Sequence, residues 1–270
     1  MHFDLVALDL DDTLLHTDLS ISDANREALA RSHRCGAKVV LASGRNIVSM
    51  RRYVELLGLR GPDDYIIATN GGEIVESATD KVLDETRLPT ALCYEVVSEI
   101  EARGFPWQIY EDGAIYHHGW SEWTAEDSRL TGQQTLPLAD PGPYFERRTL
   151  KIVVPGDPAL MPGLLTEISA HFRGRAEVLI SKPCFMEVLP LGVNKGVGLA
   201  RLASRLGIPL ERCIAMGDAM NDLDMLREAG FSCAPANAVP AAKEAAKWVS
   251  PLSNDEDFVA DALERWMGYA

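Results

Sequence analysis

The sequence predicts an α/β protein built on a parallel sheet, with a separate α+β segment inserted in its middle. Three observations predict it. Short apolar runs alternate with helical patterns at the start of the chain; that alternation breaks off near residue 84 and returns near residue 191; and the polar clusters fall just after the apolar runs. The 270 residues suit one or two domains. A composition 47% hydrophobic and 24% charged is that of ordinary globular proteins, which excludes a disordered, collagenous or disulfide-stapled chain.

Phe3 to Leu8 reads as a strand that ends in Asp9, Leu10, Asp11, Asp12 and Thr13. Ser22 then caps a helix reaching Cys35, with Gly36 where a left-handed residue is wanted. Lys38 to Ala42 is a second strand and runs into Ser43, Gly44 and Arg45. The next helix carries Ile47, Met50, Val54 and Leu57 at helical spacing and stops at Gly58, and Tyr65 to Ala68 is a third strand. Strand–helix–strand units with short links make a parallel sheet by right-handed crossovers, and ligands bind at the carboxyl ends of such strands.

The rhythm then changes. Asn70, Gly71 and Gly72 make a turn, Glu73 to Glu85 a hairpin, Pro89 to Arg103 a helix, and Phe105 to His118 a second hairpin turning at Asp112 and Gly113. Gly119 to Arg148 is polar, holds three prolines and carries no periodic signal. A strand over Leu150 to Val154, a helix over Asp157 to Phe172 and strands at Glu177 to Ile180 and Phe185 to Leu189 complete the insertion. From Val193 the alternation resumes with a helix to Leu206, a strand over Cys213 to Met216, a helix ending before Gly230 and a strand over Phe231 to Cys233. The expected organisation is one domain from 1–83 and 191–270, interrupted by a second from 84–190.

With 26 basic and 40 acidic residues the chain carries a net charge of −14, and no basic run exceeds the pairs Arg51–Arg52 and Arg147–Arg148, so a nucleic-acid partner is not expected. Five cysteines, at least 20 residues apart and without a C-x-x-C pair, read as buried reduced thiols. Asp4 and Asp9 interrupt the stretch where a secretory signal would lie, and no window approaches 18 apolar residues, so a cytoplasmic protein off the membrane is expected.

Residues two apart on a strand share a face, so Asp9 and Asp11 would present two carboxylates side by side. Adjacent acids repel; a hard divalent cation such as magnesium relieves the repulsion and leaves an oxygen free to attack an electrophile. Taken alone, the cluster also reads as an acidic turn before a helix. Gly217, Asp218, Ala219, Met220, Asn221 and Asp222 add two acids and an amide at another strand end, where a helix N-cap is the ordinary alternative. Ser43 and Gly44 offer a hydroxyl and an unhindered N–H for a phosphate oxygen, or simply a turn. Lys195 by itself reads as a solvated helix lysine.

In order along the chain, four motifs change that reading. D-L-D-D-T-L at Asp9 to Leu14, A-S-G-R at Ala42 to Arg45, N-K-G at Asn194 to Gly196 and G-D-A-M-N-D at Gly217 to Asp222 resemble the haloacid dehalogenase superfamily of aspartate-nucleophile phosphatases. The α+β insertion, Asn70 to Gly72, Glu187 to Pro190 and Asn254 to Asp257 are similar to its Cof-type branch, so the resemblance spans the chain. That branch usually has Gly where Asp12, Ala236 and Phe258 stand here.

The resemblance implies a Rossmann-like core, a cap domain and a magnesium-dependent phosphomonoesterase acting on a small phosphorylated metabolite, foremost a sugar phosphate. Asp9 would be the nucleophile and Asp11 the general acid and base. Asp9, the Asp11 carbonyl, Asp218 and Asp222 would hold magnesium, and Ser43, Gly44, Lys195 and Asn221 would bind the phosphate. A sugar phosphomutase shares the chemistry up to the aspartyl-phosphate. A non-enzymatic phospho-receiver also uses acids, a hydroxyl and a lysine, but completes its fold in about 120 residues. Within the insertion Trp107, Tyr110, His117, His118, Lys182 and Phe185 are candidates for touching the leaving group, packing or surface being the ordinary reading of each.

Overall fold

The structure is a computed structural model describing residues 2–147 and 149–268; Arg148, the last residue of the polar stretch above, lies outside the described residues. The chain runs β1 (Leu5–Leu8), α1 (Asp23–Arg34), β2 (Lys38–Ala42), α2 (Ile47–Leu56), β3 (Tyr65–Ala68), β4 (Glu73–Glu76), β5 (Lys81–Glu85), α3 (Thr90–Ala102), β6 (Trp107–Glu111), β7 (Ala114–His118), α4 (Glu122–Thr131), β8 (Gln134–Pro137), α5 (Gly142–Phe145), β9 (Ile152–Pro155), α6 (Met161–His171), β10 (Ala176–Lys182), β11 (Phe185–Pro190), α7 (Lys195–Leu206), β12 (Cys213–Met216), α8 (Leu223–Glu228), β13 (Phe231–Ala234), α9 (Pro240–Ala245), β14 (Trp248–Val249) and α10 (Phe258–Trp266). It divides into two compact units, Met1–Asp84 with Asn194–Ala270, and Glu85–Val193.

The interrupted unit holds an eight-stranded sheet ordered β14-β13-β12-β1-β2-β3-β4-β5. The strands from β14 to β3 pair in parallel, and β4 returns antiparallel to β3. Alternation along the central strands explains their unbroken apolar runs. Val6, Leu8, Val39 and Leu41 pack on one face with Leu29 of α1, Met50 of α2 and Phe258 of α10. Leu5, Ala7, Val40 and Ala42 pack on the other with Leu199 of α7, Met225 of α8 and Ala242 of α9. A sheet covered on both sides has no solvent face to mark with polar residues. The helix starts follow the expected chemistry: Ser22, Asn46 and Asn194 each accept a hydrogen bond from the N–H three residues on.

The second unit is a six-stranded sheet ordered β10-β11-β9-β6-β7-β8. Trp107, Ile109, Ile152, Val154, Met186 and Val188 bury one face with residues of α3 and α6. The intervening residues point the other way, among them Gln108, Tyr110, Lys151 and Glu187. There Lys151 and Glu187, each 5% exposed, form a 2.8 Å ion pair. Tyr110 and Gln108 both donate to Asp127 of α4. The β6–β7 turn falls where expected, with φ positive at both Asp112 and Gly113. Helix α4 and strand β8 occupy the stretch without periodic signal; the residues α4 buries, Thr124 and Asp127, are polar. Among the described residues no helix is long and apolar enough to cross a membrane.

Candidate active site

Four neighbouring parallel strands deliver the functional side chains at their carboxyl ends. β1 leads into Asp9, β2 into Ser43 and Gly44, β3 into Thr69 to Gly71, and β12 into Gly217 to Asp222. Pairing of β1 with β12 sets the first and last of these side by side, and the Asp9 N–H donates to the Met216 carbonyl at 3.0 Å. Lys195 enters as the first residue of α7.

Carboxylate oxygens of Asp9, Asp218 and Asp222 lie within 4.8 Å of one another, all three residues buried. Fully buried Lys195 reaches two of them, its Nζ lying 2.6 Å from Asp9 Oδ1 and 2.6 Å from Asp222 Oδ1. The other Asp222 oxygen accepts from the N–H groups of Asp218 and Ala219, each at 3.0 Å. Asp218 accepts from the Thr13 hydroxyl at 2.8 Å.

One ammonium does not balance three buried carboxylates. Burial pushes the Asp9 carboxyl up to about 7; Lys195 opposes the rise, while Asp222 and Asp11 add to it. Burial and then the charges of Asp9 and Asp222 push Asp218 up to about 8. Lys195 moves the other way: burial disfavours its charge, but Asp222 and Asp9 outweigh that and hold its pKa above the ordinary lysine value. Three convergent, hard, charge-excessive oxygens are the donor set a small divalent cation requires.

The remaining site residues surround this trio. β1 ends at Leu8, so Asp9 and Asp11 are not two residues of one strand. Asp11 turns its carboxylate to Arg45, whose Nε and Nη2 grip the two oxygens at 2.7 Å each. Burial works against the Arg45 charge, but the hydrogen bonds and charge of Asp11 prevail and hold it firmly protonated. Asp12 sits at φ 57°, a conformation that favours glycine, and its carbonyl accepts from Asn237 Nδ2 at 2.8 Å. Buried Ser43 accepts the Arg45 N–H at 3.2 Å. Half-buried Asn221 donates to Asn70 Oδ1 at 2.9 Å. Thr13, Arg45 and Asn70 were visible in the sequence only as members of the quoted motifs and turn, without partners.

Within the second unit, Trp107 is 1% exposed among the α3 and α6 side chains and so packs. His118 stacks on it with ring centroids 5.4 Å apart. Tyr110 and Phe185 lie on the opposite face, Lys182 is half-buried on β10, and His117 Nδ1 lies 2.6 Å from the Gly119 carbonyl.

A parallel sheet with an acidic trio and a buried lysine at its carboxyl edge defines a hydrolase class, and the chain belongs to it. The sequence profile of the haloacid dehalogenase-like hydrolases matches residues 6–263. It is a phosphatase of that superfamily. The chain is 29% identical, over 97% of its length and 95% of the relative's, to the 5-amino-6-(5-phospho-D-ribitylamino)uracil phosphatase of Bacillus subtilis. It is 30% identical, over 87% and 85%, to an HMP-PP phosphatase of an Enterobacter species. A haloacid dehalogenase-like hydrolase from Bacteroides thetaiotaomicron superposes with a TM-score of 0.88 at 30% identity, covering 97% of this chain and 99% of that one.

Proposed function

We propose that the chain hydrolyses the phosphate monoester of a small metabolite, specifically a sugar phosphate, in the cytoplasm, through an aspartyl-phosphate at Asp9. The observation that carries the reading is Lys195 buried between Asp9 and Asp222, with Asp218 within reach of both. Asp9, Asp218 and Asp222, with the Asp11 carbonyl, would hold magnesium. When bound, the ion supplies neutralising charge and a Lewis-acid contact for a phosphoryl oxygen.

The chain's own residues supply the remainder. An Asp9 oxygen attacks phosphorus as the bond to the leaving oxygen breaks, and Asp11 gives that oxygen a proton. Asp11 then takes a proton from the water that hydrolyses the aspartyl-phosphate, which releases phosphate and restores Asp9. Arg45 holds both Asp11 oxygens, so that contact must open for Asp11 to meet the leaving oxygen. The Ser43 hydroxyl, the Gly44 N–H, the Asn221 amide and Lys195 hold the oxygens over which charge spreads in a loose phosphoryl-transfer transition state.

The unit from Glu85 to Val193 would act as the cap that selects the leaving group. A relative named for a phosphorylated ribityl compound supports a polyhydroxyl phosphate as substrate. The test is phosphate release from a panel of phosphorylated metabolites, with magnesium or with EDTA. We expect turnover that requires the metal and disappears in Asp9→Asn while the fold persists. Activity retained by Asp9→Asn would overturn the mechanism, and an isomeric sugar phosphate formed in place of free phosphate would make the chain a mutase.

A further inference from the structure

The turn after β3 supplies no group given a role in the reaction above, yet its backbone is strained. Thr69, Asn70 and Gly71 take positive φ in succession, at 52°, 54° and 90°. For Thr, branched at Cβ, this conformation is costly, and it persists only where the surroundings impose it. Thr69 and Asn70 are buried. Their backbone clamps the loop after β2, because the Thr69 N–H donates to the Arg45 carbonyl and the Asn70 N–H to the Ser43 carbonyl, both at 2.9 Å.

The Asn70 side chain faces the same groups. Its Oδ1 accepts from Asn221 Nδ2, 151 positions away, at 2.9 Å. Its carboxamide also lies against Gly44, where a Cβ would fall 3.1 Å from Nδ2 and 3.2 Å from Oδ1. A left-handed Asn in an ordinary turn directs its side chain to nearby backbone; Asn70 directs its oxygen to a distant loop. Gly71 presses on the start of α7, where a Cβ would lie 2.2 Å from the carbonyl oxygen of Asn194, the residue that caps the helix begun by Lys195. One turn thus touches three of the loops that carry the site.

We propose that Asn70 is a positioning residue for phosphoryl transfer, holding the Asn221 amide and the Gly44 N–H in the mutual geometry that receives phosphate oxygens. The inference rests on the reading that Gly44 and Asn221 bind phosphate. Asn70→Gly removes the carboxamide while accepting the left-handed backbone more readily than Asn does.

The experiment is a double-mutant cycle of Asn70→Gly with Asn221→Ala, read in kcat, KM and inhibition by orthovanadate, with melting temperatures followed in parallel. Asn70→Gly should lower kcat/KM by about 10-fold and weaken vanadate inhibition without lowering the melting temperature. In the Asn221→Ala background it should cost less than about 3-fold, since the hydrogen bond is already gone. An effective Asn221→Ala whose loss adds fully to that of Asn70→Gly overturns the positioning role alone. A silent Asn221→Ala overturns the phosphate-binding reading of Asn221 and the inference with it. Should Asn70→Gly fail to fold, Asn70→Asp tolerates the same φ and keeps an acceptor. Asn221→Ala should then cost as much in that background as in the native one, and a negligible cost there overturns the proposal.

Discussion

The acidic trio makes stability depend on pH in a direction opposite to that of most carboxylates. Asp9 and Asp218 keep protons up to about pH 7 and about pH 8 in the folded chain, but only to about pH 4 once unfolded. Between those values the native state binds more protons than the unfolded one, so stability falls as pH rises and recovers on acidification. Even one retained proton gives a slope of about 1.4 kcal/mol per pH unit, or about 2 kcal/mol between about pH 5.5 and 7. For a chain of this size that is a loss of about 4 °C in melting temperature. The assay is thermal unfolding in EDTA at the two pH values, native protein against Asp218→Asn, which cannot ionise. The native protein should lose several degrees more than the variant across the interval, and saturating magnesium should raise its melting temperature more at the higher pH, where fewer protons must be displaced. Equal pH dependence in the two proteins refutes the reasoning.

Lys195→Met strands Asp9 and Asp222 without their counter-charge; phosphate release should fall at least about 100-fold, and thermal melts in EDTA should show a destabilisation larger at neutral than at acid pH. At Asp12, φ 57° suits glycine, so Asp12→Gly should stay within about 1 kcal/mol of native stability in urea, whereas β-branched Asp12→Val should cost about 2 kcal/mol. Lys151→Met removes the 2.8 Å ion pair of buried Glu187 and should cost about 3–5 kcal/mol by urea denaturation, most of it regained by adding Glu187→Leu.

The central strands of the interrupted sheet could be read from sequence because they are covered on both faces and therefore appear as short unbroken apolar runs, as at Leu5–Leu8 and Cys213–Met216. Helix α4 could not, because it buries Thr124 and Asp127 rather than an apolar stripe; only the structure shows Ser121 capping its start and left-handed Gly132 its end. At the site, the motifs name the acids and the lysine but not their pairings. Thr13 reaches Asp218 across 205 positions and Arg45 reaches Asp11 across 34, and no local pattern encodes such distances. The left-handed backbone at Thr69 is equally silent, since a β-branched residue rarely adopts it.

Placing the second unit inside the first has a consequence for biosynthesis. A ribosome delivers Asp9 and then 185 further residues before Lys195 arrives to neutralise it. Until Cys213–Met216 emerges, β1 is bonded only to β2 and displays a bare parallel edge. Such long-range closure is slow, and unpaired edges invite association between nascent chains. A compact Glu85–Val193, able to bury its own apolar face in the meantime, would shorten the length of unfolded chain that has to wait.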